Sequence, residues 1–498
     1  MLVVGGGITG AGVALDAASR GLRTALVERR DFGAGTSSKS SKLVHGGLRY
    51  LSQGDYGLVA QALAERQRLL ENAPHLVRPL PFLIPAYGSR AKLRAISAAL
   101  WTYDAVGGFR IGSLHRRLSV ADTVTRAPAL RAASQSGGGL VGSHLYLDAH
   151  ADDARLTLAV LRTAVLDHRA VAANYAPVRE LRPGAGAVID AGGREIEVRA
   201  SMVVNATGVW GDTLAGGGPT TIRPAKGVHV TVPAALVPTG VALVLPVPAD
   251  GRSIFVVPWA GTDRVYIGTT DTDYDGPLDS PACTAEDTAY LLDAVNAALT
   301  TTLTAGDVVG SWAGLRPLVA GAGSERSADL SRRHRVTRGP GDVVTIAGGK
   351  LTTYRAMAAD TVDEVQAVLG RRRSPSRTAH LTLRGAAGGG DPSDHLAGRY
   401  GGEARVLRAM IAAEPALSGP LVPTLPYLQA EAVYAARYEM ARTLDDVLAR
   451  RTRSLILARD ASVDAAGGVA RLLAPELGWS DTEADAQVQA YRAGAEAG

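Results

Sequence analysis

The chain has 498 residues, of which 46% are hydrophobic and 20% charged, and its formal net charge is +5. This apolar content excludes a largely disordered chain, and the length predicts two or three domains. The single cysteine, Cys283, excludes an internal disulfide, and no stretch is long and apolar enough to predict a membrane span. The apolar N-terminus is not preceded by basic residues, so no secretion signal is predicted.

The first part of the chain predicts a βαβ unit. Residues 1–6 are typical of a strand, residues 10–20 of a helix and residues 23–28 of a second strand. A strand, a glycine-rich turn, a helix and a further strand in this order predict a parallel sheet and an α/β fold.

The turn of this unit carries the pattern G-x-G-x-x-G at Gly5, Gly7 and Gly10, and Glu28 closes the second strand. Such glycines let the backbone approach a pyrophosphate, the helix N-terminus stabilises its charge, and the carboxylate accepts a ribose hydroxyl. An ordinary tight turn is the alternative, but the coincidence of these features favours a dinucleotide site. The pattern itself serves both NAD and FAD.

The following segment, GAGTSSKSSKLVHGGLRY at residues 33–50, favours FAD. A long Ser/Gly loop supplies backbone and hydroxyl donors for the remaining pyrophosphate and the flavin ring, whereas an NAD domain has no evident use for it. A flexible linker is the alternative, and the aliphatic residues Leu43, Val44 and Leu48 argue against it.

Beyond the loop, helices are predicted over residues 56–72, 90–101 and 152–167. A buried strand is predicted over residues 202–205, and residues 224–268, rich in β-branched residues, predict antiparallel sheet.

The C-terminal part begins with a second strand, glycine turn and helix over residues 342–354. Residues 371–377 and 384–394 have the composition of a linker. Residues 431–453 are strongly helical and highly charged, so the last hundred or so residues are predicted to form a separate helical domain.

The sequence SSKLVHGGLRYL at residues 40–51 closely resembles the flavin loop of FAD-dependent glycerol-3-phosphate dehydrogenases. Further similar motifs follow in order: DDARL (152–156), NATGVW (205–210), KGVH (226–229), IGTTD (267–271), AGLRPL (313–318), SRRH (331–334) and GGKLTTYR (348–355). EMARTLDDVLARRTR (439–453) resembles the helical cap of the same family, so the resemblance spans nearly the whole chain.

The resemblance implies a Rossmann-like FAD-binding domain over residues 1–370, built from separated segments. Antiparallel-sheet substrate-binding segments would be inserted at about residues 79–147 and 224–330. A linker over residues 371–393 would lead to a C-terminal helical cap domain over residues 394–498.

The implied activity is oxidation of sn-glycerol 3-phosphate to dihydroxyacetone phosphate, by hydride transfer to N5 of FAD. Bacterial members with this cap pass electrons to a respiratory quinone and sit on the inner face of the cell membrane, so a cytoplasmic, peripheral enzyme is expected. A homodimer is left open.

Three residues are expected to carry the chemistry. Arg316, bracketed by apolar residues, suits a phosphate dianion, which arginine forks bind well. His229 has a side chain suited to accept a proton, although a histidine on such a strand is as often a satisfied core residue. Lys350 would stabilise charge on the reduced flavin, with a plain turn lysine as the alternative. The resemblance assigns all three to the active site.

The resemblance also implies substrate contacts from Arg49, Tyr50, Arg332 and Thr269 or its neighbour Thr270, while His45 is either a flavin contact or structural. The residues expected to bind FAD are Gly5, Gly7, Gly10, Glu28, Thr36, Ser37, Ser41, Lys42, Gly46, Leu48, Gly208, Gly349, Leu351 and Thr352.

Other functions are weighed against this one. An oxidase that passes electrons from the same substrate to oxygen shares most motifs, and amine oxidases share NATG and the glycine turn. A flavin-containing nucleic-acid-binding protein would need basic runs interleaved with aromatics, and only 5% of residues are aromatic. No metal site is predicted, because the acidic triplet at residues 271–273 lacks the remainder of a calcium loop.

A membrane-binding surface is predicted on the helix over residues 90–101. Leu93, Ile96 and Leu100 share a face beside Trp101, and Arg90, Lys92 and Arg94, with Arg116 and Arg117 nearby, would meet anionic lipid. An ordinary amphipathic surface helix explains the same pattern.

Overall fold

The computed structural model describes residues 1–52, 54–133, 138–182, 184–214, 222–247, 252–319 and 333–497, without the side chains of Arg49, Ser52 and Ala497. The strands are β1 (Leu2–Val4), β2 (Ala25–Val27), β3 (Leu43–Val44), β4 (Val77–Tyr87), β5 (Arg116–Leu118), β6 (Leu140–Ala151), β7 (Val171–Ala173), β8 (Val178–Arg182), β9 (Gly186–Asp190), β10 (Glu195–Arg199), β11 (Val203–Asn205), β12 (Ile222–Pro233), β13 (Ala242–Pro246), β14 (Ser253–Trp259), β15 (Arg264–Gly268), β16 (Thr272–Asp273), β17 (Gly310–Val319), β18 (Arg335–Arg338) and β19 (Val344–Ala347).

The α-helices are α1 (Ile8–Ser19), α2 (Arg49–Ser52), α3 (Tyr56–Asn72), α4 (Arg90–Val106), α5 (Val120–Arg126), α6 (Asp153–Leu166), α7 (Gly211–Leu214), α8 (Ala285–Asn296), α9 (Tyr354–Val368), α10 (His395–Tyr400), α11 (Ala404–Ala413), α12 (Gln429–Glu439), α13 (Ser454–Leu457), α14 (Arg459–Leu477) and α15 (Asp481–Ala497). A π-helical turn spans Asp446–Arg451.

A 6-stranded sheet in the order β18-β19-β11-β1-β2-β7 carries the glycine turn. Its pairs from β19 to β7 are parallel, as the βαβ pattern predicts. Helices α1, α6 and α9 share one hydrophobic core with this sheet. The sheet therefore brings the ends of β1, β2, β11 and β19 to one edge, although they are distant in sequence.

A 10-stranded sheet lies beside the first and contains β12, β15, β14, β13, β4, β6 and β3 in sequence across it, with β17 paired to β12. The pairs of β12 with β15 and β17 are antiparallel, which confirms the sheet predicted from residue 224 onward. Val228, Val230 and Val232 on one face of β12 pack with α8 residues, while His229 lies on the other face. This alternation directs His229 toward the segment after the glycine turn.

The C-terminal helices pack tightly on the rest of the chain. Leu444, Leu448 and Val469 share a hydrophobic core with Tyr146 and Trp312 of the 10-stranded sheet. A hydrogen bond reinforces the packing, because the Thr231 hydroxyl donates to the backbone carbonyl of Ile456 at 2.7 Å. The extents of domains and linker predicted from the sequence stay predictions.

Most predicted elements are confirmed. Residues 56–72 form α3, residues 152–167 form α6 with Asp152 as its N-terminal cap, and residues 342–354 contain β19 and the start of α9. Residues 431–453 are largely helical, as predicted, but they do not form one continuous helix. Helix α12 ends at Glu439, Met440 has a left-handed φ of 57°, and a π-helical turn follows. The break turns Arg450 and Arg451 inward.

The membrane-facing stripe predicted on α4 is wrong in part. Leu93 and Leu100 are buried and Ile96 is half-buried, because this side of α4 packs on the protein core. Trp101 is 55% exposed, as expected for a residue beside the stripe rather than on it.

A buried ion-pair cluster joins the N-terminal sheet to the C-terminal helices. Asp31, just after β2, accepts hydrogen bonds from Arg450 Nε at 2.6 Å and from Arg451 Nη2 at 2.9 Å. Arg451 and Asp31 are both fully buried, and Arg453 donates to Asp153 at 2.8 Å nearby. Burial alone would raise the pKa of Asp31, but Arg451 and Arg450 lower it to about 2.

Candidate active site

The glycine turn is shaped by close backbone approaches. Gly5 has a φ of +111°, and a Cβ there would lie 2.5 Å from the carbonyl oxygen of Ala206 on the loop after β11. A Cβ on Gly10 would lie 1.9 Å from the Gly5 carbonyl oxygen. Only glycine permits this approach, which places the N-terminus of α1 directly against the end of β1.

Glu28 lies at the adjacent strand end and is held in place by backbone donors. Its carboxylate accepts from the amide of Gly6 at 2.6 Å and from the amide of Arg30 at 2.9 Å. The carboxylate is thereby fixed one strand away from the helix N-terminus, where a ribose hydroxyl is bound in dinucleotide sites.

An elongated cavity of about 510 Å³ begins at this turn. Among the residues predicted to bind cofactor or reactants, those that line it are Gly5, Gly7, Glu28, Thr36, Ser37, Gly208, Gly349, Lys350 and Leu351. Thr36 Oγ1 donates to the carbonyl of Leu315, and Ser37 Oγ accepts from the amide of Ile8 at 2.8 Å. The cavity thus lies at the meeting of the two large sheets.

This lining fits FAD on chemical grounds. A carboxylate suited to a ribose hydroxyl, a helix N-terminus and hydroxyl groups lie along the cavity. Gly7 leaves space in the cavity, because a Cβ at this position would lie only 3.0 Å from Ser37 Oγ. At the far side, Gly348 and Gly349 have positive φ angles of 76° and 79° and form an open turn.

Other residues predicted to bind the cofactor lie behind the lining. Gly46 donates its amide to Tyr103 Oη at 3.0 Å, and Thr352 Oγ1 accepts from the amide of His45 at 3.3 Å. Leu48 is half-buried against the core of the 10-stranded sheet. Gly10 lies within the turn, where its lack of a side chain leaves room for the Gly5 carbonyl. These positions shape the loop rather than line the cavity.

Lys42 points away from the cavity into the protein. Its Nζ lies 3.3 Å from Asp153 and 4.4 Å from the centre of the Trp312 ring. Burial, only partly offset by Asp153, lowers the pKa of Lys42 to about 7. The preceding residue, Ser41, bonds through Oγ to His229 Nε2 at 2.9 Å.

His229 is 2% exposed and stacks on Trp312, with ring centroids 4.7 Å apart. Its Nδ1 is buried and has no hydrogen-bond partner within the described ranges. The pKa of His229 lies well below its usual range, mainly because the ring is buried and also because Lys42 and Arg316 are positively charged. The imidazole is therefore neutral at pH 7 and is able to accept a proton only transiently.

Arg316 on β17 is held by several acceptors. Nη1 donates to Asp271 at 3.0 Å, and Nη2 donates to Thr269 Oγ1 and to the carbonyl of Thr270, both at 3.1 Å. Pro317, the next residue, lines the cavity. The predicted Arg316 and Thr269 therefore form one group beside a lining residue, although neither of them lines the cavity itself. Thr270 is buried and accepts from the amide of Val228 through Oγ1.

Lys350 and Tyr50 are brought together from distant parts of the chain. Lys350 Nζ lies 3.7 Å from the centre of the Tyr50 ring, in a cation–π contact, and Lys350 lines the cavity. His45 lies near Phe255, with ring centroids 6.5 Å apart. The predictions for Arg332 and for the Arg49 side chain lie outside the described part of the chain.

Two residues of this region were missed by the sequence reasoning. Trp210 lines the cavity, and the Arg29 guanidinium lies 4.4 Å from the centre of its ring. Trp210 is the last residue of the NATGVW motif at residues 205–210, and this motif is the sequence signal that points to Trp210 as a site residue. Asp271 forms an ion pair with Arg316 and fixes its orientation. In the sequence, Asp271 stands out as part of the acidic triplet at residues 271–273, a pattern that suggests a metal motif.

The whole chain is similar to known proteins. A family model described as FAD dependent oxidoreductase matches residues 1–358, and one described as the C-terminal domain of alpha-glycerophosphate oxidase matches residues 376–484. Glycerol-3-phosphate dehydrogenase 2 of Mycobacterium tuberculosis is 42% identical, over 100% of this chain and 88% of that protein.

A human relative, the mitochondrial glycerol-3-phosphate dehydrogenase, is 35% identical over 99% of this chain and 72% of its own length. The crystal structure of the glycerol-3-phosphate dehydrogenase from Bacillus halodurans, complexed with FAD, superposes with a TM-score of 0.78 at 31% identity. That match covers 100% of this chain and 94% of the other.

Proposed function

Because the chain belongs to the family of FAD-dependent glycerol-3-phosphate dehydrogenases, we propose that its elongated cavity holds the FAD with which it oxidises sn-glycerol 3-phosphate, and that the electrons pass to a respiratory quinone. The observation that carries the proposal is a cavity with a dinucleotide-type lining and Lys350, beside which the Arg316 group lies next to the lining residue Pro317. Pro317, next to Arg316, lines the same space as Glu28 and Lys350.

Individual residues would hold the cofactor in order along the cavity. Glu28 would accept a ribose hydroxyl, the N-terminus of α1 at Gly7 would face the pyrophosphate, and Gly349 with Leu351 would border the flavin ring. When bound, FAD supplies hydride acceptance at N5. Lys350 would stabilise the negative charge of the reduced ring.

Substrate binding would depend on the Arg316 group. Asp271 and Thr269 fix the guanidinium, so its orientation is established before a ligand arrives. A fixed arginine fork suits a phosphate dianion. Tyr50 would border the substrate beside Lys350, and Arg49 and Arg332 are proposed as further contacts.

His229 would take the hydroxyl proton as the hydride leaves the adjacent carbon. Its neutral ring has a buried Nδ1 without a hydrogen-bond partner in the described structure, and Ser41 holds Nε2. Because its pKa is low, the proton would be passed on rather than retained.

The direct test is anaerobic addition of sn-glycerol 3-phosphate to the FAD-loaded protein. We expect the flavin absorption band to bleach, and then to recover when a quinone analogue is added. Slow recovery in oxygen with little peroxide would support the quinone assignment, whereas fast, stoichiometric peroxide formation would identify an oxidase. A band that stays oxidised with substrate would contradict the proposed reaction.

Replacement of Arg316 by glutamine is expected to lower kcat/KM for sn-glycerol 3-phosphate by about tenfold or more, or about 1.4 kcal/mol. The reason is loss of a charge-assisted contact to phosphate. Steady-state kinetics on the FAD-loaded variant measure it. Arg338→Gln, in an exposed pair with Asp342, is the matched control and should stay within about twofold. An unchanged kcat/KM in Arg316→Gln would refute the role.

A quinone acceptor requires contact with a bilayer, and a surface near α4 suits this purpose. Trp101, Phe109 and Leu114 are 55%, 54% and 47% exposed. Exposed basic residues accompany them: Arg90, Lys92, Arg94, Arg110, Arg116 and Arg117. Within the described residues, no helix has both the length and the apolar character to cross a bilayer. We propose peripheral attachment through this surface, on the inner face of the cell membrane.

A double variant, Trp101→Ser with Phe109→Ser, is expected to reduce co-sedimentation with phosphatidylglycerol vesicles about tenfold, because aromatic anchorage is lost. Binding of the unmodified protein should weaken as salt is raised. Tyr438→Ser removes a 48% exposed aromatic residue of α12 and should bind normally. Equal binding to neutral and anionic vesicles would contradict the basic contribution.

A further inference from the structure

A second cavity, separate from the one assigned to FAD, lies where the C-terminal helices meet β4, β6 and α6. We call it the junction cavity. It has a volume of about 330 Å³ and is lined by His75, Arg78 and His150 on one side and by Asp394, His395 and Arg399 on the other. Ser393 and Gly261 are exposed at its rim, so solutes have a way in.

Arg78 is the central group of this cavity. Its guanidinium donates to the carbonyls of Gly398 at 2.8 Å and of His75 at 3.3 Å. No carboxylate of the described residues forms an ion pair with it. A half-buried arginine bonded only to neutral carbonyls keeps its full positive charge within the cavity.

The acidic groups of the lining already have ion-pair partners, none of which is Arg78. Asp152 caps α6 and forms ion pairs with Arg399 at 3.5 Å and Arg453 at 3.6 Å. Asp394 forms an ion pair with Arg408 at 2.7 Å. Two further cations, Lys42 and Arg155, complete the lining and pair with Asp153 and Glu439.

Two buried histidines lie beside these cations. His75 is 7% exposed, and its Nδ1 has no hydrogen-bond partner within the described ranges. The pKa of His75 is lowered to about 4, mainly by burial and further by the positive charges of Arg155 and Arg78, while Glu403 acts in the opposite direction. Burial and then Arg78 lower the pKa of His150 to about 4.

We propose that the junction cavity binds a small phosphate-bearing anion, held by Arg78 with His75 and His150. An arginine fork without a carboxylate partner suits a tetrahedral oxyanion, and the volume lies at the lower end of the range for small-molecule sites. The binding site does not depend on the function proposed for the first cavity.

Such an anion would act as a bridge between two parts of the chain. Arg78 belongs to β4, whereas its partner Gly398 and the lining residue Arg399 belong to α10. A ligand that binds the docked arrangement alone stabilises it by mass action. Phosphate is therefore expected to raise the thermal stability of the folded protein.

The test is calorimetric titration of inorganic phosphate into the FAD-loaded protein, at ionic strength kept constant with sodium chloride. Arg78→Gln should weaken one phosphate site about tenfold or remove it. Arg405→Gln changes charge equally at an exposed arginine of α11 that forms no ion pair with the described residues, and it should bind within about twofold of the unmodified protein. The difference between the two variants excludes phosphate bound in the first cavity.

His150→Gln is a second variant, for use if Arg78→Gln does not fold, and should also weaken binding. An isotherm that is the same in Arg78→Gln, His150→Gln and the unmodified protein would overturn the proposal, as would absence of binding at millimolar phosphate.

Repeating the titration with glycerol 2-phosphate identifies the source of the bound phosphate group. Tighter binding of this monoester indicates a phosphorylated metabolite, and tighter binding of inorganic phosphate indicates the free ion. The KM for sn-glycerol 3-phosphate in Arg78→Gln should remain within about twofold, which separates this outcome from failure of the active-site proposal.

Discussion

Replacement of Gly10 by alanine is expected to lower the affinity for FAD about 30-fold or more, with a matching loss of activity at limiting FAD. The new Cβ would lie 1.9 Å from the Gly5 carbonyl oxygen, a backbone atom that cannot turn away as a side chain would. The first turn of α1 must then move from the end of β1, where Gly7 and Ile8 line the cavity. Overpacking of this kind costs about 2 kcal/mol or more.

The measurement is the ratio of flavin to protein absorbance after purification, followed by calorimetric titration of FAD. Gly468→Ala is the control, because this glycine lies inside α14 and a Cβ there meets no atom within 4 Å. That variant should bind FAD normally and gain up to about 1 kcal/mol in helix stability. Normal flavin content in Gly10→Ala would show that the turn tolerates a side chain.

Replacement of Asp31 by asparagine is expected to destabilise the folded protein by about 3 kcal/mol or more. The change leaves Arg451 buried without its main counter-charge and removes one of the three carboxylates paired with Arg450, and removal of one member of a buried pair is costly. Limited proteolysis should then cut the C-terminal helices sooner than in the unmodified protein. Glu180→Gln is the control, because it removes an exposed pair with Arg182, and it should change stability by less than about 1 kcal/mol.

The same contacts predict a loss of stability in acid. Arginines hold the pKa of Asp31 at about 2 despite its burial, and His395 and Arg399 do the same for Glu431. Because these folded-state values lie below the ordinary values of about 4, their stabilisation is complete above pH 4 or so and is lost as the pH falls toward 2. Proteolytic release of the C-terminal helices should begin in that window. Equal resistance at pH 6 and pH 3 would contradict this assignment.

The parts of the site that sequence reasoning located are those encoded by neighbouring residues. Gly5 and Gly10 lie where the geometry of the turn requires glycine, Gly7 lies between them, and Glu28 follows the next strand. Strands and helices with clear periodicity followed the prediction for the same reason, since local spacing decides which face is buried.

Contacts between distant segments were not predictable in this way. The charges of residues 431–453 are plain in the sequence but their partners are not, and Arg451 and Arg453 are buried against Asp31 and Asp153. Lys42 was assigned to the cofactor by its place in the flavin loop, but its φ of 56° and its ion pair with Asp153 direct it inward. Charge type is visible in a sequence, but the partner of a charge is not.

The pairing of Asp31 with Arg451 spans 420 positions, and this has a consequence for how the protein is made. At about 5–20 residues per second, a ribosome needs on the order of 20–80 s to add the arginine after the aspartate. The parallel pairing of β1 with β11, and of β11 with β19, imposes a similar but shorter wait on the sheet that carries the glycine turn. Until these later segments emerge, a nascent chain holds an incomplete sheet and an unneutralised Asp31 carboxylate, so segments distant in sequence complete the N-terminal fold.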